Sequence, residues 1–498
     1  MKILLEMRPA LEGHAGIPQE TRLAFQGLNT LPGVSVDGLI QSGSRVLARG
    51  LPARRYGKPT LETTLPRDEQ INRLARVVIS LRETPRALLP SALGTMLDLT
   101  SSGGSMALRQ ALGLTQELTH FDPTHFRDFV WQTMFAKTLD SRHMEEVARA
   151  AFRVASVPWG AMHRFGMFTR SVSGRARYPR LDTRGYDVMI AETPYPARLT
   201  RGTRMVVRYH DAIPLLMPHT ISDKAYHQAS HYEALRSNVR EGAYFSCVSE
   251  ATRADLVSIF PEVESRAVMI PNTVSQAYFP EDSPRARVPE ILHTRRHVAP
   301  LRHASTRPPE ASADASFDYL LMVSTIEPRK NHLALLSAWE RLRTEGRRSL
   351  RLVLVGELGW SHKSIVRRFM PWLESGELVM LENVPSDELR LLYRHAAVTV
   401  CPSLYEGFDF SGIEAMRSGG VVAASDIAVH RDVFADAADY FDPYSVESQA
   451  AVLARLLGEP GAGRRGELIA AGERVSASYL PERILPQWHA FLRRIHDL

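Results

Sequence analysis

The densest chemistry in the chain lies between Pro402 and Gly420, where Glu406 and Glu414 stand with seven residues between them, Gly407-Phe408-Asp409-Phe410 among these. This stretch follows an apolar run and opens a helical pattern. Free amides at a helix start attract a phosphate, and a glycine such as Gly407 lets the backbone approach a ligand closely. Glu406 falls in the loop and Glu414 about one turn inside the helix, so the two carboxylates can hold hydroxyls at opposite ends of one ligand. A second pattern, Ser324-Thr325-Ile326-Glu327-Pro328-Arg329-Lys330-Asn331-His332, directly follows the strand Leu320 to Val323. Two cations at a helix start oppose the helix dipole, a conflict that a bound anion resolves. His210 closes the apolar run Met205 to Tyr209, at the strand end where open α/β sheets keep their ligands. His227 and His231 have the i,i+4 spacing of a metal pair but lack a third ligand, so no metal site is expected. The P-loop and GxSxG patterns do not occur, which argues against P-loop and serine-hydrolase chemistry.

The elements that must position these residues are alternating strands and helices, implying an α/β chain with parallel sheets. A first strand over Lys2 to Met7 leads through a loop containing Gly13 and Gly16 into a helix. Further strands are predicted at Tyr186 to Ala191, Met205 to Tyr209, Tyr244 to Val248 and Ala267 to Ile270. The segment 45–181 fits this series poorly; patterns over His125 to Thr138 and Met144 to Val154 predict a mostly helical insertion in an N-terminal domain spanning 1–283. Residues 284–316 are basic and proline-bearing and are predicted to be a linker. A second series, at Tyr319 to Val323, Leu352 to Gly356, Leu378 to Leu381, Val398 to Val400 and Val421 to Ala424, predicts a C-terminal domain over 317–475, followed by a C-terminal helix over 476–498. The 498 residues, 44% apolar and 23% charged, are those of a globular protein, and no run reaches the roughly 18 apolar residues of a membrane span. With an acidic residue at Glu6, no signal-peptide core develops, and a cytoplasmic location is expected. Net charge +6 favours anionic partners, and the lone Cys247 and Cys401 fit a reducing compartment.

The Glu406 to Glu414 window resembles the Glu-x7-Glu motif of retaining family-4 glycosyltransferases, which have the GT-B fold of two Rossmann-like domains facing a cleft. The Ser324 to His332 segment is similar to that family's donor-diphosphate segment, in the form found in mannosyltransferase and O-antigen branches. The resemblance implies that Arg329 and Lys330 neutralise the leaving diphosphate, with Thr325 where many relatives carry an arginine. It implies that Glu406 holds donor-sugar hydroxyls, Glu414 the ribose, and His210 faces the transferred sugar. Gly13, Gly16, Gly356, Gly407, Phe408, Asp409 and Phe410 are implied to line the donor site, and Val384 and Asp387 to lie beside the base. The expected activity is transfer of a sugar, mannose or rhamnose from a GDP-sugar, to a hydroxyl of a growing, lipid-linked surface polysaccharide. UDP-sugar use and a degenerate, sugar-nucleotide-binding scaffold are the alternatives. No cofactor or metal is expected. The expected partners are the nucleotide-sugar donor and a saccharide or lipid-linked saccharide acceptor, with peripheral association at the cytoplasmic face of the inner membrane allowed and nucleic acid excluded.

Overall fold

Strands that are apolar on both faces, such as Tyr319-Leu320-Leu321-Met322-Val323, need cover on both faces, and parallel sheets flanked by helices supply it. The computed structural model describes residues 1–11, 13, 16–52, 65–82, 103–109, 112–296 and 317–497. The N-terminal sheet contains β1 (Lys2–Glu6), β2 (Ser35–Ile40), β3 (Leu118–Phe121), β4 (Phe152–Ala155), β6 (Val188–Ala191), β8 (Arg204–Tyr209), β9 (Tyr244–Cys247) and β10 (Ala267–Met269), in the order β10-β9-β8-β6-β1-β2-β4-β3. Its pairings are parallel except at β3, an antiparallel edge strand. β5 (Arg180–Leu181) and β7 (Arg198–Leu199) pair separately.

The C-terminal sheet comprises β11 (Tyr319–Val323), β12 (Arg351–Val355), β13 (Leu378–Leu381), β14 (Val398–Cys401), β15 (Val422–Ser425) and β16 (Ala438–Phe441), all parallel, in the order β13-β12-β11-β14-β15-β16. Both sheets reverse their winding direction once, between β1 and β6 and between β11 and β14. A crevice opens at the carboxyl ends of the strands at such a switch point. The loops after these four strands carry Gly13 and Gly16, Glu192, Arg329 and Lys330, and Glu406.

The 45–181 insertion holds the long helices Arg67–Arg82 and Trp159–Ser173, as expected of a mostly helical segment, and it also contributes strands that were not expected. Within its described residues lie β3, β4 and β5, and β4 sits inside the sheet between β2 and β3. The run Met144 to Val154 is helical only over Met144–Val147 before entering β4. A strand buried on both faces shows no period-two alternation, so an apolar run after a helical turn reads as more helix. His125 to Thr138 holds the helix Arg127–Val130 and a wider π-helical turn, Trp131–Phe135, whose Trp131, Met134 and Phe135 are buried. The expected linker is also shorter at its start: Arg287–Thr294 is a helix whose Val288, Ile291 and Leu292 join the core of the C-terminal sheet. Arg295 grips Glu388 there with two bonds, 2.6 and 2.9 Å. Residues 297–316 lie outside the described residues.

The final helix, Pro481–His496, buries Ile484, Trp488, Phe491, Leu492 and Ile495 in the core of the N-terminal sheet, so the chain ends against the domain in which it began. Arg208, on β8, is fully buried beneath it, with its guanidinium 5.2 Å from the Trp488 ring. It donates to Glu20 (3.0 Å), Ser246 (2.7 Å), the Ile270 carbonyl (2.6 Å) and Asn272 (2.7 Å). Removing one member of a buried charge pair leaves the other uncompensated, at a cost of about 3–5 kcal/mol. Arg208→Met is therefore expected to lower stability by about that amount in urea unfolding; a loss below about 1 kcal/mol, the surface-pair range, contradicts this account.

Candidate functional site

The two sheets face a cavity of about 630 Å³ whose lining draws on both domains. Every sequence-predicted site residue lines it except Asp387. The domains meet closely beside Gly407, where a side-chain Cβ would lie 1.6 Å from the His210 carbonyl oxygen. Only a glycine fits. The Gly407 carbonyl also accepts from Ser249 (2.7 Å) and Thr252 (3.2 Å) at the start of the helix Glu250–Ile259. Gly356 has φ 151° and runs against the Ser324 carbonyl, so it too has no room for a side chain.

Arg329 and Lys330 lie in the short turn Pro328–Lys330, after which Asn331 adopts a left-handed conformation and the helix His332–Thr344 begins. Both reach one carboxylate: Arg329 Nη1 lies 2.7 Å from Glu406 Oε2, and Lys330 Nζ 2.5 Å from Glu406 Oε1. Arg329 Nη2 is 2.8 Å from Glu327. Burial pushes the Glu406 carboxyl up, but the two cations outweigh it and hold the group below its ordinary value. Two cations thus face two carboxylates, a balanced set that can trade a carboxylate for an incoming phosphate. Thr325 lines the same wall.

Glu414 is buried in the helix Phe410–Arg417, where Gln19 of the N-terminal domain donates to its Oε1 at 2.8 Å and Tyr393 to its Oε2 at 3.2 Å. Burial raises its carboxyl to about 7, with these hydrogen bonds opposing the rise. Asp409 lines the cavity and is also held by partners of its own. Its Oδ1 caps the same helix through Ser411 (N 3.1 Å, Oγ 2.6 Å), and its Oδ2 meets His430 at 3.3 Å. Phe408 stacks edge-on with Phe410 (5.2 Å) and Tyr479 (5.3 Å), and the pair forms an apolar floor. Val384 lines the cavity; Asp387 stands in the first turn of Ser386–His395, where an acid complements the helix dipole.

His210 follows β8 and faces Glu192 Oε2 at 3.3 Å. Glu192 follows β6 and was not singled out from sequence, although the strand-end argument that found His210 applies to it equally. Gln19 and Glu20 on the first helix and Arg8 in the turn after β1 were missed as well, since no motif marks them. Around His210, the three carboxylates Glu6, Glu20 and Glu192 face two guanidiniums, Arg8 (2.8 Å from Glu6) and Arg208. Glu20, Glu192 and His210 bring ligand atoms within 4.8 Å of one another, a spacing a metal ion could use. Arg208 already donates to Glu20, however, and the set lacks only one positive charge, which a proton shared by the carboxyl pair supplies. Burial accordingly pushes both Glu20, to about 8, and Glu192 upward. Gly13 (φ 59°) and Gly16 (φ 71°) hold the loop before the first helix, and the Gly13 carbonyl accepts from buried Arg22 at 2.9 Å.

Residues 308–475 match the family described as glycosyl transferases group 1. An O-antigen chain mannosyltransferase B of Escherichia coli is 28% identical over 53% of this chain and 62% of its own. An MMP alpha-(1->4)-mannosyltransferase of Mycolicibacterium hassiacum is 34% identical over 29% of this chain and 36% of its own. The chain therefore spans less than two thirds of the length of these relatives. Among solved structures, a sucrose-phosphate synthase of Thermosynechococcus elongatus superposes with TM-score 0.55 and 15% identity over 100% of this chain and 99% of its own. A glycosyltransferase of Rickettsia africae gives 0.51 and 11% identity over 99% and 98%. These likenesses show the GT-B fold. Among the described residues, no helix is long and apolar enough to cross a membrane.

The shifted groups set a pH dependence. The Glu20–Glu192 pair, through its shared proton, and Glu414 hold protons in the folded chain that unfolded carboxyls, at an ordinary 4.5, would release. Their contribution to stability is complete below pH 4.5 and is lost as pH rises through about 7 to 8. The buried histidines act oppositely: burial lowers His163 and His231 to about 3 and His210 to about 4, so stability gains with pH until the unfolded value of 6.5 and then levels. Melting temperature is expected to fall between pH 6.5 and 8.5, and Glu20→Gln to flatten that fall. An unchanged slope in the variant contradicts the assignment.

Proposed function

We propose that this chain, whose residues 308–475 match the group 1 glycosyl transferases, is a retaining glycosyltransferase that moves mannose from GDP-mannose to a hydroxyl of a growing, lipid-linked surface polysaccharide. The observation that carries the reading is the placing of Arg329 and Lys330 at a helix start, on the wall of an interdomain cavity, against the carboxylate of Glu406. Support for mannose comes from the mannosyltransferase names of the relatives. In this reading the donor diphosphate lies along Arg329 and Lys330, Glu406 holds sugar hydroxyls and Glu414 the ribose, with Gln19 yielding its bond. His210 faces the sugar.

The bond between the sugar C1 and the β-phosphate oxygen breaks, and its electron pair stays on that oxygen. The acceptor oxygen bonds to C1 on the same face, and its proton passes to the β-phosphate. Negative charge grows on the diphosphate as the bond breaks, and two fixed cations in a water-poor cleft stabilise that growth most where it is greatest. His210, lowered to about 4 by burial, is neutral at pH 7 and can accept a sugar hydroxyl bond without adding charge. No metal is needed when Arg329 and Lys330 supply the positive charge, so turnover should persist in EDTA.

A donor screen across GDP-, UDP-, ADP- and dTDP-sugars with a mannose-bearing acceptor tests the reading. The expected result is turnover of GDP-mannose, an α-linked product by NMR, and a loss of at least ~100-fold in kcat for Lys330→Ala with the fold intact. A β-linked product, or a Lys330→Ala variant of near-parental kcat at saturating donor, contradicts it.

A further inference from the structure

The segment 45–181 supplies strands and helices to the N-terminal domain, but the reaction described above gives none of its residues a task. One buried side chain joins it to the cleft from behind. Arg22, on the first helix (Ile17–Asn29), is fully buried and donates to two separate stretches of chain. On one side, Nη2 bonds the carbonyls of Ala10 (2.8 Å) and Gly13 (2.9 Å), in the loop that follows β1. On the other, Nε bonds the Met134 carbonyl (2.7 Å) and Nη1 the Thr138 hydroxyl (2.9 Å), both in the inserted segment.

The inserted side is shaped for this contact. Trp131–Phe135 is a π-helical turn, and beyond it the Thr138 N–H bonds the Phe135 carbonyl at 3.0 Å instead of reaching back a full turn to Met134. The Met134 carbonyl is thereby presented to Arg22, and such widened turns recur at functional sites. Apolar packing fixes the same junction: Phe25, one turn beyond Arg22, lies 5.3 Å from the Phe135 ring and 5.6 Å from that of Phe152 on β4.

The loop side needs holding. It carries Gly13 and Gly16 at φ 59° and 71°, both on the cavity wall, and glycine leaves a backbone free to take many conformations. Burial lowers the Arg22 guanidinium to about 10, which leaves it charged at neutral pH, so its bonds to these carbonyls are of the stronger, charge-assisted kind. Because one planar group bonds both stretches, a displacement of the inserted turn carries the loop with it.

We propose that Arg22 is a positioning residue through which the inserted segment, by way of Met134 and Thr138, fixes the glycine loop at the edge of the cleft. Its effect on turnover rests on the glycosyltransferase reading above; its effect on the loop does not.

The test compares the full parental chain with Arg22→Met and Thr138→Val, the second of which removes one bond from the inserted side and leaves the loop's own residues intact. Hydrogen exchange followed by mass spectrometry is expected to speed up over residues 8–20 by at least about threefold in both variants, with the C-terminal sheet unchanged. At temperatures where both variants are folded, kcat for GDP-mannose is expected to fall at least about tenfold in Arg22→Met and about threefold in Thr138→Val, while calorimetric binding of GDP stays within about twofold. An arginine that served the core alone would lower the melting temperature and move neither the loop exchange nor kcat. Parental exchange over residues 8–20 in Thr138→Val, or parental kcat in both variants, therefore overturns the proposal, and Thr138→Val decides it by the same two readouts if Arg22→Met does not fold. An unaltered chain that turns over no nucleotide sugar would instead overturn the glycosyltransferase reading, with the exchange experiment still deciding the role of Arg22.

Discussion

A buried carboxylate held between two cations, Glu406 between Arg329 and Lys330, is the interaction on which the cleft depends. Two positive side chains at a helix start, deep in a protein, repel each other and oppose the helix dipole, so without counter-ions the arrangement would not persist. Glu406 and Glu327 supply those counter-ions from the two loops that flank the switch point of the C-terminal sheet. The balance makes the site readily exchangeable. A diphosphate brings negative charge of the same kind, so it can take over the cations while Glu406 turns to hydroxyls, with little net change in buried charge.

The rest of the molecule holds that set against a second wall. Gly407 lets the backbone of one domain meet the His210 carbonyl of the other, and Gln19 reaches across to Glu414. The final helix returns to cover Arg208, whose four partners tie β8, β9 and the first helix to the loop after β10.

Much of this was legible in the sequence because parallel strands buried on both faces leave apolar runs, and a ligand site follows their carboxyl ends. The strands at Tyr319 to Val323 and Met205 to Tyr209 located Arg329, Lys330 and His210 in that way, whereas Gly407, expected to let the backbone near a ligand, meets the His210 carbonyl of the other domain. β4 stayed hidden because Phe152-Arg153-Val154-Ala155 is four residues long and follows a helical turn without a break in pattern. Asp409 lines the cavity as expected, while the partners of its oxygens, Ser411 and His430, were not legible, since a helix-capping acid and a binding acid look alike in sequence. Gln19, Trp159 and His163 come from helices far apart in the chain, and only the folded arrangement brings them to one cavity.

The most direct test compares the binding of GDP and GMP to the full chain by calorimetry. If Arg329 and Lys330 exchange Glu406 for a β-phosphate, removing that phosphate forfeits charge-assisted hydrogen bonds, and GMP should bind at least about tenfold more weakly than GDP. Equal affinity for the two nucleotides would mean that the paired cations hold no phosphate, and would contradict the account at its centre.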